Sequence, residues 1–263
     1  MKTRKEQIAA FERLLDIMDE LREKCPWDQK QTFETLRKLT IEEVYELGDA
    51  ILRSNLPEIK KELGDILLHI VFYAKIGSET ESFDIGDVIN NLIDKLIYRH
   101  PHVFGKTKVA DAREVEENWE ALKLREKDRG KRLLEGVPDS LPALVKANRI
   151  QEKARGVGFD WEQKEQVWDK VKEELHEFES EMRSNNQKKM EAELGDLFFS
   201  LVNAARLYDI DPESALERTN QKFIRRFNYL ESETLLKGKS LHTMSLEEMD
   251  LYWNQAKENE RRL

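Results

Sequence analysis

Two sets of acidic residues recur in this chain at the same internal spacing. The first set is Glu42, Glu43, Glu46, Glu62 and Asp65, and the second is Glu173, Glu174, Glu177, Glu193 and Asp196. Each residue of the second set lies 131 positions after its counterpart in the first. Carboxylate oxygens are the ligands that a hard divalent cation such as Mg²⁺ prefers. The repeat therefore predicts a duplicated metal site, although a single acidic helix usually presents only a solvated face.

Helical spacing would bring the carboxylates of each set together. Glu43 and Glu46 are three residues apart, as are Glu62 and Asp65, so each pair shares one face of a helix. Two adjacent antiparallel helices would then direct four or five carboxylates into one pocket. These groups repel one another at neutral pH unless protons or cations neutralise them, which again favours bound Mg²⁺.

A di-iron centre is the alternative metal site that an acidic helical bundle suggests. That centre uses a Glu-x-x-His motif on two helices, whereas the corresponding motif here is Glu-x-x-Asp. His69 lies one turn beyond Asp65, but its counterpart in the second copy is Ser200. An all-oxygen ligand set favours Mg²⁺, or Mn²⁺ in its place, over iron.

A glycine lies inside the second acidic motif of each copy. Glycine costs about 1 kcal/mol relative to alanine inside a helix, so Gly64 and Gly195 need a structural reason. They predict either close packing of two helices or space for a ligand, and close packing is the more common reason.

Basic and aromatic residues in the second half have the spacing for a phosphate-bearing ligand. Lys222, Arg225 and Arg226 share one side of a helix. They predict a polyphosphate clamp beside the metal, and salt bridges to neighbouring Glu residues are the alternative. Trp253, followed by Lys257, has the chemistry to stack on a base, although core packing would also explain the indole.

The elements that must position these residues are helices. Apolar residues recur at three- and four-residue steps along the chain, and no segment has a convincing strand pattern. Capping signals predict helix starts at Asp84, Asp111, Asp211 and Ser245. The helix after Asp111 would carry Trp119, the counterpart of Trp253.

The expected architecture is all-α, with two similar helical bundles related by internal duplication. Glycine and proline punctuate residues 128–142, which predicts a domain junction there. We therefore expect an N-terminal domain over residues 1–130 and a C-terminal domain over residues 131–263.

Composition narrows the class of protein. The net charge of −9 argues against nucleic-acid binding, which normally needs a basic surface. A single cysteine, Cys25, allows no intrachain disulfide and fits a cytoplasmic location. No stretch approaches the ~20 apolar residues of a membrane span, and charges interrupt any signal-like segment near the N-terminus. We expect neither a nucleic acid nor a membrane as partner.

Taken together, these motifs resemble the two-domain bacterial MazG family of nucleoside triphosphate pyrophosphohydrolases. The resemblance covers nearly the whole chain. Besides the acidic sets, it rests on residues 25–28 (CPWD), 99–104 (RHPHVF), 158–161 (GFDW) and 222–227 (KFIRRF). It implies an all-α homodimer that hydrolyses NTPs or dNTPs with Mg²⁺ to the monophosphate and pyrophosphate.

The resemblance also implies a role for each group of residues. In the second half, the implied metal ligands are Glu174, Glu177, Glu193 and Asp196, with Glu173 as an accessory catalytic acid. The residues implied around the nucleotide are Lys170, Lys222, Arg225, Arg226, Trp253 and Lys257. In the first half, the matching metal set is Glu43, Glu46, Glu62 and Asp65.

The first half departs from the family pattern at one position. Tyr98 precedes Arg99 where the family often has a second arginine before His-Pro-His. The missing positive charge weakens the case for triphosphate binding there. We therefore expect the main catalytic centre in the second half.

The expected reaction is attack of a metal-activated water on the α-phosphorus, with pyrophosphate as leaving group. Glu173 or Glu174 would accept the proton from water, and lysine and arginine would neutralise charge on the pyrophosphate. The corresponding role is housekeeping of the nucleotide pool. Two alternatives are a non-catalytic helical dimerisation or interaction module and a hydrolase specific for one pyrimidine dNTP.

Overall fold

Helix is the only regular secondary structure among the residues that the structure describes. A computed structural model describes residues 2–109, 111, 115, 132–238 and 240–262, and no strand occurs among them. This confirms the all-α prediction. The chain divides into two compact units, Met1–Leu122 and Lys123–Leu263. The boundary predicted between residues 130 and 131 stays a prediction, and Trp119 lies outside the described residues.

The described part of the first unit contains four long helices and one short one. They are α1 (Arg4–Lys24), α2 (Phe33–Leu52), α3 (Leu56–Glu79), α4 (Ile85–Arg99) and α5 (Pro101–Phe104). Thr3, Thr32 and Asp84 cap the starts of α1, α2 and α4 with side-chain oxygens, which satisfies first-turn N–H groups. The predicted start at Asp84 is therefore confirmed.

The core of the first unit forms where α1, α2 and α3 meet. Its buried residues are Met18, Leu36, Val71, Phe72 and Ile76. Helix α3 supplies three of these five, in keeping with its broadly apolar sequence. The packing of α2 against α3 matters for function, because these two helices carry the first acidic set.

Five helices form the described part of the second unit. They are α6 (Ala143–Arg155), α7 (Gln166–Ser184), α8 (Gln187–Leu207), α9 (Pro212–Leu236) and α10 (Leu246–Arg262). Asp211 caps α9 ahead of a proline in its first turn, and Ser245 and Glu248 cap the start of α10 reciprocally. Both predicted starts are confirmed.

A tight turn links the two helices that carry the second acidic set. Asn185 ends α7 in the left-handed conformation, with φ of 54°, which asparagine tolerates better than most residues. Asn186 then caps α8 by accepting a hydrogen bond from the Lys189 backbone. Two residues between helices leave room only for antiparallel neighbours, and α7 and α8 pack along each other.

Among the described helices, none combines the length and apolar character needed to cross a bilayer.

Candidate functional site

In the first unit, helices α2 and α3 bring three carboxylates together. Glu43, Glu62 and Asp65 each offer an oxygen within 4.8 Å of the oxygens of the other two. Glu62 is fully buried, and its Oε2 has no hydrogen-bond partner among the described residues. An unpartnered buried carboxylate oxygen is costly, so this atom fits the role of a cation ligand.

Lys61 adds a positive charge to the first cluster. Its Nζ lies 2.8 Å from Glu62 Oε1 and 4.0 Å from Glu46 Oε2. The hydrogen bond from Lys61 holds the pKa of Glu62 below its ordinary value. Burial, followed by the charges of Asp65 and Glu46, raises the pKa of Glu43. Glu46 therefore lies beside Lys61 and outside the group of three carboxylates.

In the second unit, α7 and α8 form a similar group, with the counterpart of Glu46 in place of the counterpart of Asp65. Glu174, Glu177 and Glu193 offer oxygens that all lie within 4.8 Å of one another, and Glu174 is buried. Burial, together with the charges of Glu177 and Asp196, raises the pKa of Glu193. Asp196 is not in the group of three but lines a cavity with Glu174.

Lys170 is the positively charged side chain beside this second group of carboxylates. Its Nζ lies 2.7 Å from Glu174 Oε1 and 2.9 Å from Glu173 Oε1. The hydrogen bonds to Glu174 and Glu173 raise the pKa of Lys170. The structure thus joins two residues predicted for different roles, the nucleotide contact Lys170 and the accessory acid Glu173.

The chemistry of both groups fits a hard divalent cation. Each consists of carboxylates alone, and hard oxygen ligands suit Mg²⁺ and Mn²⁺. His69, the residue that would support a di-iron centre, is not among the grouped ligands. Its burial lowers its pKa, which the charge of Asp65 only partly opposes. That a cation binds here, and that it is Mg²⁺ or Mn²⁺, stays a prediction.

A cavity of about 610 Å³ adjoins the second group. Lys170, Glu174 and Asp196 lie on its wall, and the remainder comes from α6, α7, α8, the segment 158–161 and Leu134. Phe159 and Trp161 make part of that wall apolar. Pockets of roughly 300–1,000 Å³ hold small organic ligands, so the cavity is large enough for a nucleoside.

Gln151 and Asn203 are among the polar residues of this cavity that lie outside the motifs singled out from the sequence. Gln151 is only 6% exposed, and its Nε2 donates a hydrogen bond of 2.8 Å to the Phe199 carbonyl. Asn203 lies on α8 and accepts hydrogen bonds from Arg206. Of the two, only Asn203 could have been placed at the site from the sequence, because it lies two turns after Asp196 on the same helix face.

The first unit has a core residue where the second has Asn203. At the repeat offset of 131, Asn203 corresponds to Phe72. Phe72 is 2% exposed and packs in the core of the first unit. The acidic sets are repeated in the sequence, whereas the polar cavity residue is not.

The glycines of the acidic motifs adjoin open space. A Cβ atom added at Gly64 or Gly195 would meet no atom within 4 Å. The expectation that close helix packing requires these glycines is wrong within the described chain. Space beside the acidic groups is the explanation that remains.

The predicted phosphate-binding arginines lie away from the cavity wall. Arg226 Nη2 is 2.6 Å from Glu260 Oε2, and Arg225 Nε is 3.7 Å from Glu260 Oε1. The salt bridges left open as an alternative therefore exist in this chain. No described residue of α9 or α10 is on the cavity wall.

Trp253 belongs to the same cluster of α9 and α10. Its ring centre lies 5.0 Å from that of Phe223 and 5.7 Å from the guanidinium carbon of Arg226. Lys222 and Lys257 form no ion pair with a described residue. The structure thus brings Arg225, Arg226 and Trp253 together, while their contact with a nucleotide stays a prediction.

Comparison with known proteins assigns this chain to a family. Residues 31–104 and 162–230 match the family model of the MazG nucleotide pyrophosphohydrolase domain. Each matched segment contains one complete acidic set. The duplication inferred from the spacing is therefore a duplication of this domain.

Full-length relatives support the same assignment. A protein of Thermotoga maritima named nucleoside triphosphate pyrophosphohydrolase/pyrophosphatase MazG is 44% identical over 96% of this chain and 98% of its own length. The nucleoside triphosphate pyrophosphohydrolase of Escherichia coli K12 is 41% identical over 95% of this chain and 98% of its own. An uncharacterised Bacillus subtilis protein, YabN, is 46% identical, but the match spans 52% of that protein.

Proposed function

Because the chain belongs to the MazG nucleotide pyrophosphohydrolase family, we propose that it hydrolyses nucleoside triphosphates to the monophosphate and pyrophosphate. The observation that carries this proposal is the group of Glu174, Glu177 and Glu193 beside a cavity of about 610 Å³. Metal ligands next to a pocket of that size suit a substrate with a phosphate chain and an organic base.

The carboxylates of α7 and α8 fit Mg²⁺, which when bound would offset phosphate charge and make a water nucleophilic. Glu174, Glu177 and Glu193 would hold the cation, with Asp196 as a further ligand from the cavity wall. The same chemistry applies to Glu43, Glu46, Glu62 and Asp65 in the first unit, where the unpartnered Oε2 of Glu62 supports a ligand role.

The reaction forms a bond from a water oxygen to the α-phosphorus and breaks the bond from that phosphorus to the bridging oxygen. Pyrophosphate leaves with that oxygen, and the water proton passes to a carboxylate. Glu173 is the favoured acceptor, because it is exposed and lies outside the three grouped ligands. Lys170 holds Glu173 and Glu174 at 2.9 Å and 2.7 Å, so it positions the acceptor beside the ligands.

Cations of α9 and α10 would act on the phosphate chain. Lys222 and Lys257 are not engaged in described ion pairs, and Arg225 is mostly exposed. These groups would neutralise charge on the leaving pyrophosphate. Arg226 is held by Glu260, so its part would be to orient the cluster around Trp253.

We also propose a homodimer that works on the nucleotide pool of the cytoplasm. Helix α4 has no buried residue, yet its apolar side chains include Val88, Ile89, Leu92, Ile93 and Leu96, all exposed. Such a face needs a cover, and a second copy of the chain would supply one. Sedimentation of Leu92→Glu at half the mass of the unmodified protein would support this assembly.

Substitution of one acid in each unit tests the catalytic proposal. Glu193→Ala, Glu62→Ala and the control Glu179→Ala, an exposed acid of α7, would be assayed for pyrophosphate release with Mg²⁺. We expect Glu193→Ala to lose at least about 100-fold in kcat, the scale of one strong transition-state contact. Glu179→Ala should keep full activity.

The substrate panel separates the proposal from its alternatives. Release of pyrophosphate from both purine and pyrimidine triphosphates supports a general hydrolase. Activity confined to one pyrimidine dNTP would point to the narrower enzyme. No release from any NTP or dNTP, or full activity of Glu193→Ala, would contradict the proposed function and favour an interaction module.

A further inference from the structure

The segment between α6 and α7 contributes residues 158–161 to the cavity wall of the second unit. We propose that Asp160 and Arg206 are a pair of positioning residues, which fix this segment as a wall for the nucleoside part of the substrate. The pair would act on nucleotide affinity, equally for every base, and not on the chemical step. The inference rests on the proposed function, because it assigns a role within the same site.

Backbone contacts fix only the start of this segment. The N–H groups of Gly158 and Phe159 donate to the carbonyls of Arg155 and Ala154 at 2.8 Å and 3.0 Å, which closes the end of α6. Gly158 has a φ of 85°, a conformation that glycine adopts without steric cost. Residues 160–165 are all described and form neither helix nor strand. Side-chain contacts must therefore decide where the rest of the segment lies.

Arg206, on α8, binds the carboxylate of Asp160 with two nitrogens of its guanidinium group. Nη1 donates to Oδ2 at 3.1 Å, and Nη2 donates to Oδ1. Oδ1 of Asp160 also accepts a hydrogen bond of 2.9 Å from the Trp161 backbone. Two parallel hydrogen bonds define an orientation more strictly than one does. The pair thus connects the backbone at Trp161 to α8.

The pair is shielded from water and fully charged. The Arg206 side chain is only 7% exposed, and its Nε and Nη2 also donate to Asn203 Oδ1 at 3.1 Å and 2.7 Å. Burial raises the pKa of Asp160, but the hydrogen bonds from Arg206 and the Trp161 backbone outweigh this and keep it below the ordinary value. Salt screens a partly buried ion pair less than a surface pair, so this contact persists at physiological ionic strength.

The two aromatic residues beside Asp160 depend on this contact. Phe159 and Trp161 both line the cavity, yet Phe159 is 82% exposed and Trp161 is also exposed. A side chain with so little surface buried gains little from packing, so its own contacts do not fix its position. Every base and sugar has apolar surface that an aromatic wall can contact. A fixed wall would therefore favour nucleotides in general and no particular base.

The first unit holds the corresponding segment in a different way. At the repeat offset of 131, Arg206 corresponds to Lys75, which pairs with an aspartate of α1 at 2.7 Å. The segment between α1 and α2 is contacted by Arg22, which donates to the backbone carbonyls of Asp28 and Gln31. The side-chain pair between α8 and the segment thus belongs to the unit that contains the cavity of about 610 Å³.

The test separates binding of the nucleoside part from binding of the phosphate chain. Asp160→Asn removes the charge and keeps the shape of the side chain. Pyrophosphate release from ATP, GTP, CTP and UTP gives KM and kcat, and inhibition by inorganic tripolyphosphate reports on the phosphate chain alone. We expect KM to rise about 10-fold for all four nucleotides, because binding must then order the segment. The kcat and the inhibition constant of tripolyphosphate should not change.

A second variant and a matched control accompany Asp160→Asn. Arg206→Lys keeps the charge but lacks the planar fork, so KM should rise here too, and the double variant should lose no more than the weaker single variant. The control is Glu79→Gln in the first unit. Glu79 accepts two hydrogen bonds from Arg22, at 2.7 Å and 2.8 Å. Its loss should lower the unfolding temperature and leave KM unchanged.

The outcomes separate this inference from the proposed function. Pyrophosphate release with an unchanged KM in Asp160→Asn and Arg206→Lys would overturn the inference and leave the function standing. An equal weakening of tripolyphosphate inhibition, or an equal KM rise in Glu79→Gln, would do the same. If the unmodified protein releases no pyrophosphate, calorimetric binding of α,β-methylene ATP replaces KM. Weaker binding in the Asp160 and Arg206 variants alone would then support the pair while refuting the hydrolase, and no binding by the unmodified protein would refute both.

Discussion

Lys170 Nζ lies 2.7 Å from Oε1 of Glu174, one turn further along α7, and Glu174 is only 6% exposed. The first unit has a comparable pair, with Lys61 Nζ 2.8 Å from the buried Glu62. The two lysines are not counterparts in the repeat. Lys61 lies on α3, the second acidic helix of the first unit, whereas Lys170 lies on α7, the first acidic helix of the second unit. A lysine thus partly neutralises each acidic group, but the lysine is at a different position of the repeat in each unit.

Replacement of Lys170 tests how much its charge stabilises the protein by offsetting the charge of the buried Glu174. Lys170→Met would leave Glu174 buried without its cation, so we expect the metal-free protein to lose about 1–2 kcal/mol, since Lys170 itself is partly exposed. Mg²⁺ should then raise the unfolding temperature more in the variant than in the unmodified protein. Thermal unfolding with EDTA or Mg²⁺ measures both effects.

Lys172→Met is the matched control for Lys170. Lys172 pairs with Asp169 at 3.1 Å on the same helix, but both side chains are largely exposed. An exposed pair contributes little, so the change should cost less than about 0.5 kcal/mol. Equal losses for the two variants would show that the buried pair has no special role.

The raised pKa of Glu193 predicts a specific pH dependence. Because the Glu193 carboxylate binds a proton more tightly in the folded state than in the unfolded state, protonation of Glu193 adds to the free energy of unfolding at low pH. It is lost as the pH rises above the ordinary value of 4.5 through the raised pKa. Glu193→Gln should therefore be more stable than the unmodified protein in EDTA at neutral pH.

Chemical denaturation across this pH range measures the effect of Glu193→Gln. The difference in unfolding free energy between variant and unmodified protein should grow as the pH rises, and added Mg²⁺ should reverse its sign. Glu179→Gln, at an exposed position of the same unit, should show no such trend. A difference that stays constant with pH would contradict the assignment.

The glycine inside the second acidic motif predicts an unusual substitution. Gly195→Ala should stabilise the protein by about 0.5–1 kcal/mol, because alanine favours the helix and its Cβ meets no atom within 4 Å. If the open space serves a ligand or a partner chain, activity should fall even as stability rises. Unfolding and pyrophosphate assays on one preparation separate these effects.

Gly77→Ala is the opposing control. A Cβ at Gly77 would lie 2.7 Å from the ring of Phe83, so we expect a loss of about 1–3 kcal/mol from overpacking. Stabilisation at both positions would contradict the close contact expected between a Cβ at Gly77 and the Phe83 ring.

Phe72 and Asn203 occupy equivalent positions of the repeat but have different surroundings. Phe72 packs in the core of the first unit, whereas Asn203 lines the cavity of the second. Phe72→Ala should destabilise the first unit by about 3–5 kcal/mol, because it removes a buried aromatic side chain. Phe104→Ala, at a residue that is 62% exposed, should change stability by less than about 0.5 kcal/mol. Urea unfolding compares the two, and a small loss for Phe72→Ala would show that the first unit also has a cavity there.

Local sequence signals were sufficient for the helices. The caps at Asp84, Asp211 and Ser245 and the apolar periodicity act between residues within a few positions of one another, so they can be read without the fold. The start of α7 at Gln166 is the exception, because no side chain caps it. A single boundary depends on weak local contacts, and boundaries are the least predictable feature of a helix.

The sequence by itself determined the all-α class, the internal duplication and the family, because spacing within helices and a repeat offset of 131 are properties of the chain alone. The tertiary structure decided which carboxylates meet, since burial and the packing of α7 on α8 select Glu174, Glu177 and Glu193 and place Asp196 on the cavity wall. It also brought Gln151 and Asn203 to the wall of one cavity. Gln151 and Asn203 are 52 residues apart in the sequence, so their common pocket exists only once α6 and α8 have packed together.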